Sequence, residues 1–432
     1  MGNRSQSARK ALEMKILWVK AGKLLPVDTG GKIRSYNLLR HLATSHEVTL
    51  LTYYGGNRDL EYEAEIARQL PRAHAIYTAA PESKLAQSLD YIFRLPRRAP
   101  YAVTKFTHPK VRRTVTQWLV ESRFDVAVCD FLSASLNFPD VLATPTVLFQ
   151  HNVETVLWQR MAQTEINPWL KLSYRIEASK MARYEKAALA KFHHVIAVSD
   201  RDRDEMMALD SRCPITVVPT GVDTSQYRVT PSASGEPPIV AFTGSMDWEP
   251  NIDAVEYFCR EIWPTVLDRY PEARFQIVGR NPHGRVRRLA SANVEVTGTV
   301  PSVADYLAAA TVVIVPLRIG GGTRLKIFEA MAMGKAVVST SIGAEGLDVV
   351  SGRDLLLADD RASFADNLLR LFREPALRRS YEQAAASLAL RYDWSQIAQR
   401  FADVLQSTVA SFQNRDPRER QRQAQPVLPV GS

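Results

Sequence analysis

Short apolar, β-branched runs recur along this chain and alternate with longer segments whose apolar positions repeat at helical spacing. In the first half KILWV (Lys15–Val19), EVTLLTYY (Glu47–Tyr54), FDVAVCDF (Phe124–Phe131), TPTVLFQHN (Thr144–Asn152) and ITVVPTGVD (Ile215–Asp223) read as strands. The second half repeats the pattern with VAFTG (Val240–Gly244), RFQIVGRN (Arg274–Asn281), VEVTGTV (Val294–Val300), TVVIVPL (Thr311–Leu317), KAVVST (Lys335–Thr340) and DLLLAD (Asp354–Asp359). Between them lie helical stretches: IRSYNLLRHL with its stripe Ile33, Leu38, Leu39 and Leu42, then residues 169–190, 361–374, 376–392 and 394–412. Strands apolar on both faces, each followed by a helix, predict an α/β protein with two doubly wound parallel sheets of Rossmann-like type. The turn-rich PSASGEPP (Pro231–Pro238) separates them. The expected organisation is a flexible N-terminus (1–13), a first domain (14–228), a linker (229–237), a second domain (238–393), a further helix (394–413) and a polar, disordered tail (414–432).

One stretch concentrates chemistry. After the strand TVVIVPL, Gly320, Gly321 and Gly322 allow a tight turn, Thr323 is placed to cap a helix RLKIFEAMAM, and Gly334 stands where that helix should end. The unsatisfied N–H groups and the dipole of a helix start favour an anion, and Arg318, Arg324 and Lys326 add cations around the same turn. Glu329 follows one turn after Lys326. A carboxylate repels phosphate, so its natural partner here is a pair of sugar hydroxyls; phosphate plus polyol describes a nucleotide-sugar. A Lys326–Glu329 surface pair beside a glycine loop fits the same residues.

Other strand ends carry further candidates. Gly30 and Gly31 lie between the first strand and first helix, where a backbone without side chains admits a ligand closely. Asp130 and His151 fall at carboxyl ends of strands, where open parallel sheets bind ligands. Gly244 and Ser245 open the second domain's first loop, and Arg280 ends its next strand. Asp200, Asp202 and Asp204 form an alternating acidic run, but alternate residues do not share a helix face. They read as acids in the first turn of a helix capped by Ser199 or Asp200, and no metal or other cofactor is expected.

GGGTRLKIFEAMAMGKAVVST (Gly320–Thr340) resembles the donor-binding segment of the family 4 retaining glycosyltransferases, which have the GT-B architecture. The resemblance implies two Rossmann-like domains facing an interdomain cleft, with the last helix crossing back onto the first domain. It gives Glu329 the nucleotide ribose and puts Gly321 where the family's first glutamate touches the transferred sugar, which leaves sugar choice open. Gly30 and Gly31 would meet donor phosphates and acceptor, His151 in QHN would lie beside the transferred sugar, and VEVTGTV would flank the base. Asp247 and Trp248 stand where the family often has an arginine and a lysine, so Arg324 and Lys326 take over the diphosphate grip. The implied activity is metal-independent transfer of a hexose, with retention, from a UDP- or GDP-sugar to a glycan or lipid-linked acceptor. A sugar-nucleotide epimerase on the same scaffold and a nucleotide-sugar-binding protein without catalysis are the alternatives.

Composition narrows this picture. No apolar stretch reaches the ~18 residues of a membrane helix, and the N-terminus lacks the apolar core of a secretory signal. Three scattered cysteines match no metal pattern and fit a reducing, cytoplasmic compartment. The net charge of +9 suits anionic partners, but no recognised nucleic-acid module accompanies it, which excludes nucleic acid. Residues 91–120, dense in Arg, Lys and aromatics, fit either an anionic surface on the inner face of a membrane or a solvated face.

Overall fold

The computed structural model describes residues 13–79, 84–165, 167–210, 212, 214–230, 237–319 and 325–414. The chain divides into two compact units, residues 1–218 with 398–432, and residues 219–397.

The first unit holds a seven-stranded sheet, β1 (Lys15–Ala21), β2 (Glu47–Tyr54), β3 (Ala73–Tyr77), β4 (Val126–Asp130), β5 (Thr146–Phe149), β6 (His194–Ala197) and β7 (Ile215–Val217), in the order β3-β2-β1-β4-β5-β6-β7. All its pairs are parallel. Parallel strands covered by helices on both faces should be apolar throughout, and the centre of β1 is fully buried. β3 escaped the apolar pattern because AHAIY is a half-buried edge strand.

The second unit holds six parallel strands, β8 (Ile239–Thr243), β9 (Arg274–Val278), β10 (Val294–Gly298), β11 (Val312–Val315), β12 (Ala336–Ser339) and β13 (Leu356–Leu357), in the order β10-β9-β8-β11-β12-β13. Of the expected DLLLAD strand only two residues pair, at the sheet edge. Gly334 takes φ +66 after the helix Leu325–Ala332, the left-handed stop for which glycine is suited.

Both sheets reverse their winding at one place, between β1 and β4 in the first and between β8 and β11 in the second. The connections there leave in opposite directions and open a crevice at the carboxyl ends of the strands. The helix Trp394–Gln413 is shared: its first turn clusters with the second unit and residues from Ala398 onward with the first. There Phe401 is fully buried and stacks on Trp18 at 5.4 Å.

Candidate functional site

In the first unit the β1/β4 switch point carries a buried polar cluster. Asp130 ends β4, and His151 follows β5 by two residues. His151 Nε2 lies 2.7 Å from Asp130 Oδ1, and its Nδ1 lies 3.1 Å from Arg34 Nη1. A guanidinium only donates, so Nδ1 accepts and the ring's proton sits on Nε2, shared with the carboxylate. Asp130 Oδ2 accepts from Trp18 Nε1 at 2.8 Å and from the Lys20 ammonium at 3.1 Å. Burial would push the Asp130 carboxyl up, but Lys20 and His151 overrule it and hold it well below the ordinary range. Burial also brings the Arg34 guanidinium down to about 10.

Gly30 and Gly31 open the helix Gly30–Leu42, whose N-cap Thr29 makes no side-chain cap. Space around Gly30 is open, while a Cβ on Gly31 would come 3.4 Å from His151 Nδ1. The structure thus brings Gly31 and His151 together with Lys20, Arg34 and Asp130. Lys20 and Arg34 were not among the sequence candidates. Their signal was a charge inside an otherwise buried strand, and an arginine beside the apolar stripe of the first helix.

Burial takes the His151 imidazole from 6.5 down to about 4. Between these values the unfolded chain binds a proton that the native site refuses, so this contribution to stability falls as pH drops through the window, by about 1.4 kcal/mol per pH unit. Glu154 acts in the opposite sense, being raised to about 7 by burial and by Glu185. Comparison with His151→Asn isolates the histidine. The stability advantage of the wild type over this variant should shrink between pH 6.5 and pH 4 in urea titrations; a flat or growing difference would mean that the ring is not held neutral.

In the second unit the β8/β11 switch point gathers the loop after β8, the end of β9 and the helix Leu325–Ala332. Lys326 Nζ donates to Asn251 Oδ1 at 2.8 Å and sits 4.1 Å over the Phe242 ring. Asn251 in turn donates to the Ser245 carbonyl at 2.8 Å. Arg280 Nε reaches Ser245 Oγ at 3.0 Å, and that hydroxyl donates to Asp247 at 2.6 Å. Gly244, Ser245, Arg280 and Lys326 therefore form one connected group.

Two glycines make this approach feasible. A Cβ on Gly279 would lie 1.6 Å from the Gly244 carbonyl oxygen, and one on Gly244 would lie 2.7 Å from Asn251 Nδ2 and 3.0 Å from Lys326 Nζ. Gly244→Ala should therefore displace Asn251 and Lys326 and, with a side chain at φ +158, cost about 1–3 kcal/mol of stability. Urea unfolding checks this, and wild-type stability would mean that the loop takes the methyl group without moving.

Several expectations are corrected. Lys326 and Glu329 do not form an ion pair with each other: Lys326 turns to Asn251, and Glu329, half-buried, takes the Tyr227 hydroxyl. Burial pushes the Glu329 carboxyl up against the pull of Tyr227 and Lys326. Arg318 is no spare cation for the turn, since Asp253 holds it at 3.0 and 2.5 Å and it stacks 4.4 Å over Tyr257. The helix Glu249–Tyr257 has Trp248 as its cap residue. Gly320, Gly321, Gly322, Thr323 and Arg324 lie outside the described residues. Ser199 caps the helix Asp200–Leu209, which explains the acidic run there. Among the described residues no group of three potential metal ligands comes together.

Comparison with known proteins adds the following. A family model described as Glycosyltransferase Family 4 matches residues 29–226, and one described as Glycosyl transferases group 1 matches residues 237–374. A phosphatidyl-myo-inositol mannosyltransferase of Mycobacterium leprae is 28% identical over 375 residues, covering 81% of this chain and 91% of that protein. The solved structure of sucrose-phosphate synthase from Thermosynechococcus elongatus matches with a TM-score of 0.64 at 16% identity, covering 92% of this chain and 100% of that one. HepE from Anabaena, in complex with UDP and glucose, matches with a TM-score of 0.61 at 16% identity, covering 91% and 100%.

Proposed function

This chain belongs to the group 1, family 4 glycosyltransferases of GT-B architecture, and on that premise we propose the reaction it performs. A hexose moves from a nucleotide-sugar to a glycan or lipid-linked acceptor, with retention at the anomeric carbon and without a divalent metal.

The observation that carries this reading is the connected group at the β8/β11 switch point, where Lys326 is held by Asn251 over the Phe242 ring. An ammonium fixed at a strand end stabilises the charge that builds on a departing diphosphate, which is the task a metal would otherwise perform. Gly320, Gly321, Gly322, Thr323 and Arg324 extend that grip in our reading. Glu329 receives the ribose diol, for which the Tyr227 hydroxyl is a stand-in of the same chemistry. Both ring nitrogens of His151 are engaged, so its role is to position and polarise rather than to carry a proton.

The relatives give this reading direction. The Mycobacterium leprae protein is by name a mannosyltransferase acting on phosphatidyl-myo-inositol, which supports a hexose donor and a lipid-linked acceptor. HepE was solved with UDP, which supports a uridine nucleotide, with guanosine as the other candidate. Among the described residues no helix is long and apolar enough to cross a membrane; we place the enzyme in the cytoplasm, peripheral to the inner membrane face.

A thermal-shift screen against UDP-, GDP- and ADP-sugars tests the donor. A ligand at about 100 times its Kd stabilises the native state by about 2.7 kcal/mol, so one nucleotide should raise Tm by several degrees. No shift with any of the three would refute donor binding. Conversion of the sugar-nucleotide without an acceptor would favour an epimerase, and tight binding without turnover a binding protein.

A further inference from the structure

One buried acid grips the turn that carries His151. Residues 150–155 lead from β5 into the helix Glu154–Thr164, whose own cap residue, Val153, makes no side-chain bond. Glu185, on the helix Pro168–Lys191, makes these bonds from a distance. Its carboxylate is fully buried and accepts from Gln150 Nε2 at 2.9 Å and from the Glu154 N–H at 3.1 Å. It also accepts from the Thr155 N–H at 2.8 Å and from the Thr155 hydroxyl at 2.6 Å. Burial pushes this carboxyl up, and the donors on Thr155 and Glu154 pull against it. Four donors on two oxygens fill the acceptor sites of an ionised carboxyl, which is the form the site fits.

A helix start alone does not call for this arrangement. In the same unit the helices Leu60–Gln69, Pro168–Lys191 and Asp200–Leu209 take their caps from the residue next to them, Asp59, Asn167 and Ser199. Such a cap needs no fully buried charge. Here the acceptor lies 30 to 35 positions away, and taking it out of water is expensive. What the distant carboxylate adds is reach, because it binds on both sides of His151, at Gln150 before it and at Glu154 and Thr155 after it. Gln150 is fixed further by its N–H, which donates to the Ile196 carbonyl at 2.9 Å. The His151 ring meets Phe131 and Phe149, with centroids 5.4 and 4.5 Å away, and its nitrogens face Asp130 and Arg34. The ring is thus oriented by β4 and the first helix, and the backbone that bears it by Glu185. The side chain of Glu154 is left to Trp158 and Asn152.

We propose that Glu185 is a positioning residue for the transfer: by clamping residues 150–155 it sets where the His151 ring meets the sugar of the donor. That the ring meets a sugar rests on the transferase reading; that Glu185 holds the ring in place does not. Glu185 touches neither substrate nor the reacting atoms. Its removal therefore acts through His151 on turnover and spares the capture of the nucleotide-sugar assigned to the second unit.

The test uses the full chain and three variants. Thr155→Val keeps a branched side chain and deletes one of the four donors, Glu185→Gln keeps the shape and removes the charge, and Thr155→Ser retains the hydroxyl. Nitrogen NMR of histidine-labelled protein, with His151 identified by its absence in His151→Asn, should show the wild-type ring in the Nε2–H form. Thr155→Val and Glu185→Gln should shift or broaden the His151 ring signals, and Thr155→Ser should leave them as in wild type. With UDP- and GDP-sugars the first two variants should lower kcat about tenfold and change the nucleotide-sugar KM less than about twofold. Thr155→Ser should keep most of the wild-type kcat. Urea unfolding on the same samples shows how much stability each variant loses. Lower stability with wild-type His151 signals and wild-type kcat would overturn the proposal, because Glu185 would then be a helix cap and nothing more. So would a loss confined to KM. If Glu185→Gln does not fold, Thr155→Val decides. A wild type that binds no nucleotide-sugar, with His151 signals that still follow Thr155 and Glu185, would sink the transferase reading and leave the positioning of the ring standing.

Discussion

Lys326→Ala is expected to lower kcat/KM for the nucleotide-sugar about 10- to 100-fold, equivalent to about 1–3 kcal/mol for one charge-assisted contact. The ammonium is held by Asn251 and the Phe242 face. It is therefore already oriented before a donor arrives and spends little entropy on binding. Glu329→Ala should lose a similar factor, but mostly in KM, because a ribose contact is made equally in the ground and transition states. Lys326→Ala should instead reduce kcat, since diphosphate charge grows during the reaction. Steady-state kinetics with a saturating acceptor separates the two. Unchanged constants in both variants would remove the proposed donor site, and a pure KM effect of Lys326→Ala would confine that residue to ground-state binding.

Asp130→Ala should cost about 3–5 kcal/mol of stability, the cost of leaving a buried charge without its partner. The carboxylate accepts from Trp18, Lys20 and His151, and its side chain has no solvent access. Alanine strands all three donors at once. The further change Lys20→Met removes the orphaned ammonium and should recover a large part of the loss, because an apolar side chain needs no counter-charge. Urea unfolding followed by tryptophan fluorescence reads the difference, as Trp18 reports on the same cluster. A loss below about 1 kcal/mol would show that water reaches the site and satisfies these groups.

Much of the architecture was visible in the chain itself because parallel sheets must be apolar on both faces. EVTLLTYY is β2 residue for residue, and the helix expected over 394–412 is Trp394–Gln413. What the pattern could not reach were elements whose burial is partial. AHAIY is an edge strand with only weak apolar character, and the expected strand DLLLAD dwindles to Leu356–Leu357 because it has a neighbour on one side only. The sites divide in the same way. Glycines, strand ends and a lysine at a helix start are local signals, so Gly31, Gly244, His151 and Lys326 could be singled out as candidates from the chain alone. Asn251, Tyr227, Lys20 and Arg34 act through partners between 15 and 117 positions away, and no local spacing encodes that. In the basic aromatic segment 91–120, the side that stays uncovered depends on packing. Only the fold shows that 109–120 turns inward while 89–95 does not.

The shared helix Trp394–Gln413 has a consequence for dissecting this protein. Phe401 and Leu405, near the end of the polypeptide, are interior residues of the unit that begins at its start. A fragment ending at the linker would fold around a hole lined by Trp18 and Phe149, ring partners of Phe401 at 5.4 and 5.2 Å. The two halves are thus not modules that can be cut apart at one peptide bond. An isolated first unit needs the helix Trp394–Gln413 supplied in trans or grafted back, and a stop codon before position 398 should harm the front of the molecule more than the back.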